Sequence, residues 1–158
     1  RLKPYGLRWI EEFLMPEDLD GYLAVRRAVN WVSLAGVEHW FSPWRFREAI
    51  ERRALDVLQP DLFWVGGITA CVKICHMADL SGLMVCLHGG AHNQYGLHLT
   101  YAMPNMPWAE YVVWSPPGVP LEEARWMPGA PMPKDSYIVP NPGPGFGVPI
   151  REEWLRPF

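Results

Sequence analysis

Short apolar runs alternate along the chain with stretches in which apolar residues recur every three or four positions. The runs are "LRWIEE", "WVSLAGVEH", "ALDVLQPD", "GLMVCLHGG" and "WAEYVVW". After the first, Leu19, Tyr22, Val25 and Val29 step by three or four, which lays one apolar stripe along a helix. Ser42–Pro43 predicts the next helix start, a hydroxyl cap followed by a proline whose missing N–H costs nothing in the first turn. Phe46, Ala49, Ile50 and Ala54 continue that helix on one face. From Ile68, the positions Cys71, Val72, Cys75 and Ala78 trace another, with Gly82 placed to end it. "QYGLHLTYAM" has the apolar content of a further helix but contains Gly96, which leaves that element open.

Strands that alternate with helices imply a parallel sheet, because each helix carries the chain back to the starting edge. Continuous apolar runs such as "LMVCL" imply strands buried on both faces. The expected class is α/β, with about five βα units. Beyond Met103 the composition changes: every proline except Pro4, Pro16, Pro43 and Pro60 lies there, densest in "PNPGPGFGVP". Trp114, Trp126, Tyr137, Phe146 and Trp154 are too aromatic for a solvated linker. The reading is a barrel part over 1–114 and a wrapping segment over 115–158, folded against the barrel or another domain.

Composition narrows the function classes. With 49% hydrophobic and 20% charged residues, the chain has the balance of a soluble globular domain. A net charge of -3 gives no basis for nucleic acid or an anionic membrane as partner. Arg52–Arg53 sits in a helical stretch and reads as a solvated face. No run approaches the roughly 18 apolar residues of a membrane span, and "RLKPYGLRW" has no signal-peptide core. That start also lacks an initiator methionine, so the chain is expected to be cut from something longer. Of the 3 cysteines, Cys71 and Cys75 form a CxxxC without a second pair and Cys86 lies in an apolar run; free buried thiols in a reducing compartment, the cytoplasm, are expected.

The polar residues fall at the ends of the apolar runs: Glu11–Glu12, then Glu38–His39, Asp61 and His88, with Glu110 near the start of the fifth as drawn here. In parallel α/β barrels the active site is built from the C-terminal strand ends. Carboxylates converging there repel one another unless a hard cation lies between them, and Mg²⁺ suits such oxygens. Asp61 and His88 come from neighbouring strands, so the carboxylate can accept from one imidazole nitrogen and leave the other as a general base. Two glycines after His88 allow backbone or ligand to approach closely.

With "WIEE", "GVEHWFSPWRF", "LQPDLFWVGGIT", "CLHGG" and "PWAEY" in this order and spacing, the chain resembles the enolase superfamily, in particular its mandelate racemase subgroup. The "EH" doublet, the "QPD…GGIT" run and the "RPF" ending are most similar to acid-sugar dehydratases of the rhamnonate dehydratase kind. The resemblance implies the C-terminal portion of a (β/α)₈ barrel, Glu11 and Glu38 as Mg²⁺ ligands, an Asp61–His88 dyad, and Glu110 as the acid on the last barrel strand. It implies a substrate contact for His39, and a structural place for His76, His92 and His98. Pairing a His base with Mg²⁺ is general to the superfamily and is carried over with the resemblance.

The implied reaction removes the proton next to a carboxylate and then eliminates a β-hydroxyl as water, giving a 2-keto-3-deoxy sugar acid. The other readings are a racemase or epimerase of the same superfamily and a non-catalytic sugar-acid-binding or assembly module. The expected partner is a small sugar acid, and the complete protein is expected to be a homo-oligomer. A full barrel takes eight strands and about 250 residues. The third metal carboxylate, the first strands and the capping domain are not in this sequence, so the chain alone is expected to be inactive. The resemblance also implies glycine where Val37 stands, directly before the acid.

Overall fold

The strands lie in the order β1 (Trp9–Glu11), β2 (Ser33–Gly36), β3 (Val57–Leu58) and β4 (Met84–Val85), and every neighbouring pair is parallel. The structure is a computed structural model that describes residues 1–123 and 129–155. Trp126 and the "RPF" ending lie outside the described residues. Four helices follow the strands in alternation: α1 (Leu19–Ala28), α2 (Pro43–Glu51), α3 (Gly67–Leu80) and α4 (Gln94–Ala102). The class is α/β, as the alternation of patterns predicts.

Helix ends follow local chemistry. The Asp18 carboxylate accepts from the Gly21 N–H at 2.9 Å and caps α1, and Asn93 does the same for α4 through Gly96 N–H at 2.7 Å. Ser42 precedes Pro43 as predicted, but its hydroxyl makes no capping bond. Ala54 lies past the end of α2, yet is fully buried. Gly96 belongs inside α4 for a packing reason: a Cβ there would stand 2.5 Å from the Gly90 carbonyl oxygen, so the helix could not approach the turn after β4.

The sheet has two unlike faces. Leu34, Leu58, Val85 and Leu87 pack with Phe46, Ile50, Cys71 and Ile74 of the helices in the main core. The inner face carries Ala35, Val57 and Cys86, with Trp9, Met84 and Trp108 against them. Cys71, Cys75 and Cys86 are free and buried, and burial pushes each thiol up to about 12, so none is a nucleophile at neutral pH.

The fifth run is a correction to the reading of about five units. Among the described residues the sheet has four strands, and 107–114 makes no ladder with β4. One bond forms, Val85 N–H to the Asn105 carbonyl at 2.9 Å. Pro107, which has no N–H, follows, and the segment leaves the strand to meet the turn after β4 instead. Described residues of the proline-rich stretch lie against α4. Gln94 donates to the Gly129 carbonyl at 3.1 Å and accepts from Asn141 N–H at 3.0 Å, and Phe146 meets Tyr95 edge-on at 4.9 Å. No helix among the described residues is long and apolar enough to cross a membrane.

One ion pair ties the helical layer to the sheet at its N-terminal side. Both terminal guanidinium nitrogens of Arg26 on α1, Nη1 and Nη2, donate to the Asp56 carboxylate, which also accepts from Leu34 N–H at 2.8 Å. Burial pushes the Asp56 pKa up, but the Arg26 and Leu34 hydrogen bonds outweigh it, and the net shift is downward. A carboxylate depressed in the folded state stabilises above its unfolded pKa and loses that contribution as pH falls through the folded one. Asp56→Ala is expected to cost about 1–3 kcal/mol at pH 7. In urea unfolding, its deficit against wild type should shrink once the pH is taken below the usual carboxylate range of about 4.

Candidate active site

Strand alternation delivers the site to the inner face. In β1, Trp9 and Glu11 share that face while Ile10 joins the helical core; in β3 and its extension, Val57, Gln59 and Asp61 keep step. From β4, Met84, Cys86 and His88 do the same, and Asp61 and His88 are joined by an isolated parallel bridge. The exception is the end of β2. Ala35 faces inward, so strict alternation would turn Val37 inward and Glu38 out. Gly36 and Val37 instead have φ of 144° and 76°, Val37 is buried in the helical core, and Glu38 reaches the histidines. The residue the resemblance replaces by glycine therefore sits in left-handed backbone, which a β-branched residue tolerates at a cost of about 1–3 kcal/mol.

His88 is the centre of the cluster. Its Nδ1 lies 2.8 Å from Asp61 Oδ2. A carboxylate oxygen accepts, so Nδ1 carries the proton and Nε2 is the basic nitrogen, 3.6 Å from Glu38 Oε1. The other Asp61 oxygen accepts from the N–H groups of Phe63 at 2.7 Å and Trp64 at 3.1 Å, which fix the carboxylate independently of the ring. Burial lowers the His88 pKa, but the Asp61 hydrogen bond and the charges of Glu38 and Glu110 outweigh it, leaving it raised. Glu38 is raised too, first by burial and then by Glu12 and Glu11, with His88 and His39 pulling the other way.

The remaining predicted residues fall at different distances from this centre. His39 Nδ1 is 3.7 Å from both Glu38 Oε1 and Glu12 Oε2, and its ring lies 5.3 Å from that of Trp64. Glu110, on the extended 107–114 segment, accepts from Gly89 N–H at 2.6 Å through Oε2. Glu11 touches none of the other five; its Oε2 accepts from the Trp9 indole at 2.8 Å and the Gln59 amide at 2.9 Å. A cavity of about 470 Å³ opens over Asp61, His88 and Gly89, walled by Phe63, Trp64 and Trp114.

Three participants escaped the sequence reading. Glu12, set aside in favour of its neighbour, accepts from Val37 N–H at 2.6 Å and so holds the loop that carries Glu38. Gln59 was legible as the residue two before Asp61 on the same strand face. His92, read as structural, fastens the Glu110 segment: its Nε2 accepts from Val112 N–H at 2.8 Å and its ring stacks on Tyr111 at 4.6 Å. Burial, then the charge of His88, lowers its pKa, which keeps the ring neutral as an acceptor. His92→Leu is expected to lose about 1–3 kcal/mol of stability by stranding that N–H, and His92→Gln, which can still accept, should recover part of it in thermal unfolding. His98 bonds the Gln94 carbonyl within α4 at 2.8 Å, and His76 is exposed on α3.

Could these residues hold Mg²⁺? Among the described residues no three His, Cys, Asp or Glu side chains are arranged as a metal site. The chemistry of the two predicted donors does fit. Glu11 and Glu38 are oxygen ligands, and Mg²⁺ commonly takes one or two carboxylates and keeps water or substrate elsewhere. The Glu38 carboxyl is raised by the crowding of Glu12 and Glu11 as well as by burial, which a divalent cation would relieve.

The family model described as "Enolase C-terminal domain-like" matches residues 1–154. The chain belongs to this enolase C-terminal domain-like family. A relative from Caldivirga maquilingensis, whose name assigns it provisionally as an L-rhamnonate dehydratase, is 36% identical over 160 residues, covering 99% of this chain and 40% of its own. The crystal structure of L-rhamnonate dehydratase from Gibberella zeae superposes with a TM-score of 0.66 and 37% identity, over 70% of this chain and 28% of the other. That of L-talarate dehydratase from Polaromonas sp. JS666, complexed with Mg and L-glucarate, gives 0.63 and 35%, over 72% and 31%. This member of the enolase C-terminal domain-like family thus spans about two fifths of the curated relative's length. The crystal structure of a mandelate racemase/muconate lactonizing enzyme from Polaromonas sp. JS666 also superposes, with a TM-score of 0.63 and 36% identity over 72% of this chain and 30% of the other.

Proposed function

We propose that the chain is the catalytic, C-terminal barrel portion of an Mg²⁺-dependent acid-sugar dehydratase of the rhamnonate dehydratase kind. The observation that carries this reading is the His88–Asp61 pair at 2.8 Å, set at adjacent strand ends with Nε2 turned toward the Glu38 carboxylate. In the proposed reaction His88 Nε2 takes the proton from the carbon next to the substrate carboxylate, then returns it to the departing β-hydroxyl, which leaves as water. Asp61 holds the tautomer and balances the imidazolium. Glu110, beside the Gly89 turn, hydrogen-bonds the developing negative charge when protonated. His39 contacts substrate from the β2 loop. Glu11 and Glu38 would hold Mg²⁺, which when bound supplies Lewis-acid neutralisation at the substrate carboxylate, an effect of several kcal/mol.

The division into a barrel part, 1–114, and a wrapping segment, 115–158, belongs to the same proposal, supported by the contacts of 129–155 with α4. So does completion of the barrel by further strands, because a closed barrel of this kind takes eight strands and the described residues supply four. The test incubates the protein, as expressed from its own gene, with L-rhamnonate and a panel of other six-carbon sugar acids in Mg²⁺ and follows 2-keto acid. Turnover that stops on chelation of Mg²⁺ is expected. Binding without turnover would favour the assembly or binding module, and exchange of the α-proton without elimination would favour the racemase.

A further inference from the structure

Glu11 and Gln59 come from strands that are not neighbours. β2 lies between them, with Ala35 paired to Glu11 on one side and to Val57 on the other. Two strand spacings separate β1 from β3 by roughly 10 Å. The side chains meet across that gap because Ala35 puts only a methyl group in the way, and the Gln59 amide nitrogen reaches Glu11 Oε2 at 2.9 Å. The Trp9 indole, two residues before Glu11 on the same face, donates to the same oxygen at 2.8 Å. Both donors fall on Oε2; among the described residues Oε1 takes none.

The amide of Gln59 has one possible orientation. Turned over, its carbonyl would face a carboxylate, acceptor against acceptor. With its nitrogen on Glu11, its carbonyl oxygen is buried and has no donor among the described residues. The residue as a whole is 1% exposed, and an apolar side chain would fill that place without stranding an acceptor. Asn105 Oδ1 is stranded as well, but Asn105 donates to the Cys75 and Leu83 carbonyls rather than to a carboxylate.

We propose that Gln59 and Trp9 are positioning residues that clamp Glu11, tying one oxygen and presenting the other to a divalent cation, with the Gln59 carbonyl left to accept from a water the cation carries. The inference rests on the reading of Glu11 as a metal ligand. A hydrated Mg²⁺ is the natural source of that missing donor, since it retains several waters when bound by few carboxylates. Residues that orient ligands in this way typically change metal affinity by about 10–100-fold when removed.

The probe is Mn²⁺, titrated by electron paramagnetic resonance into the full protein, with Mg²⁺ calorimetry in parallel and thermal unfolding of the metal-free protein as the control for folding. Gln59→Leu is expected to raise Kd for both ions about 10–100-fold. Trp9→Phe keeps the aromatic packing on Trp108, removes one donor, and should weaken binding in the same direction. Neither should shift metal-free unfolding enough to explain the loss. Wild-type affinity in both variants would overturn the clamp and leave the dehydratase reading standing. Absence of Mn²⁺ binding in the wild type would overturn Glu11 as a ligand, and the clamp with it. Should Gln59→Leu fail to fold, the half-exposed Trp9 site decides the matter alone.

Discussion

The His88→Asn variant is expected to lose turnover by about 10²–10⁴-fold while keeping its fold and its Mg²⁺ affinity. Asparagine can still direct an amide N–H at Asp61 Oδ2, so the 2.8 Å contact has a substitute. What it cannot replace is Nε2, the one basic nitrogen that the ring turns toward Glu38. The loss should therefore appear in kcat, with KM changed little, because the missing group acts on the proton in flight rather than on the bound substrate. Exchange of the substrate α-proton with deuterated water should disappear together with elimination. Retention of exchange in the variant would mean that another group removes the proton, and would remove His88 from the role proposed for it.

Asp61→Asn is the second large effect, again on the order of 10²–10⁴-fold, and it arises from a proton on the wrong nitrogen. The Phe63 and Trp64 N–H groups both donate to one oxygen of Asp61. An asparagine held by those two bonds keeps its carbonyl oxygen there and points its NH₂ at His88 Nδ1. A donor facing Nδ1 makes that nitrogen the acceptor and moves the imidazole proton to Nε2, where the base must be free. Backbone anchoring remains intact, so thermal stability should change far less than turnover. The two residues act as one unit; the double variant should be little worse than His88→Asn alone, and additive losses would show that Asp61 works independently of the ring.

Glu11, Asp61 and His88 were legible as residues at the ends of apolar runs, and strand periodicity in the structure then sets them on one face. Also legible were α1, α2 and α3, whose apolar stripes are local, although the Ser42 hydroxyl expected to cap α2 makes no capping bond. The limits of that reading also have local causes. Gly96 weakens a helix on propensity, and only the approach of the Gly90 carbonyl to 2.5 Å from an added Cβ explains its presence in α4. "WAEYVVW" has the composition of a strand, but pairing depends on what stands beside it, and the backbone of 107–114 is spent on the turn carrying His88 rather than on β4. Gln59 was missed because its place two before Asp61 gives its face but not its partner, and His92, read as structural, took its particular role only from Val112 and Tyr111.

By itself the sequence determined an α/β class, the parallel order of elements and the set of acids and histidines at strand ends, since all of these follow from short-range periodicity and residue chemistry. Tertiary structure alone decided that Val37 turns into the core and swings Glu38 toward His88. It alone decided that Glu11 is gripped by Gln59 across Ala35, and that His92 pins the segment of Glu110. Those arrangements join residues 20 or more positions apart, and they depend on a backbone phase shift and on inter-strand distance, quantities that arise only when the strands are laid side by side.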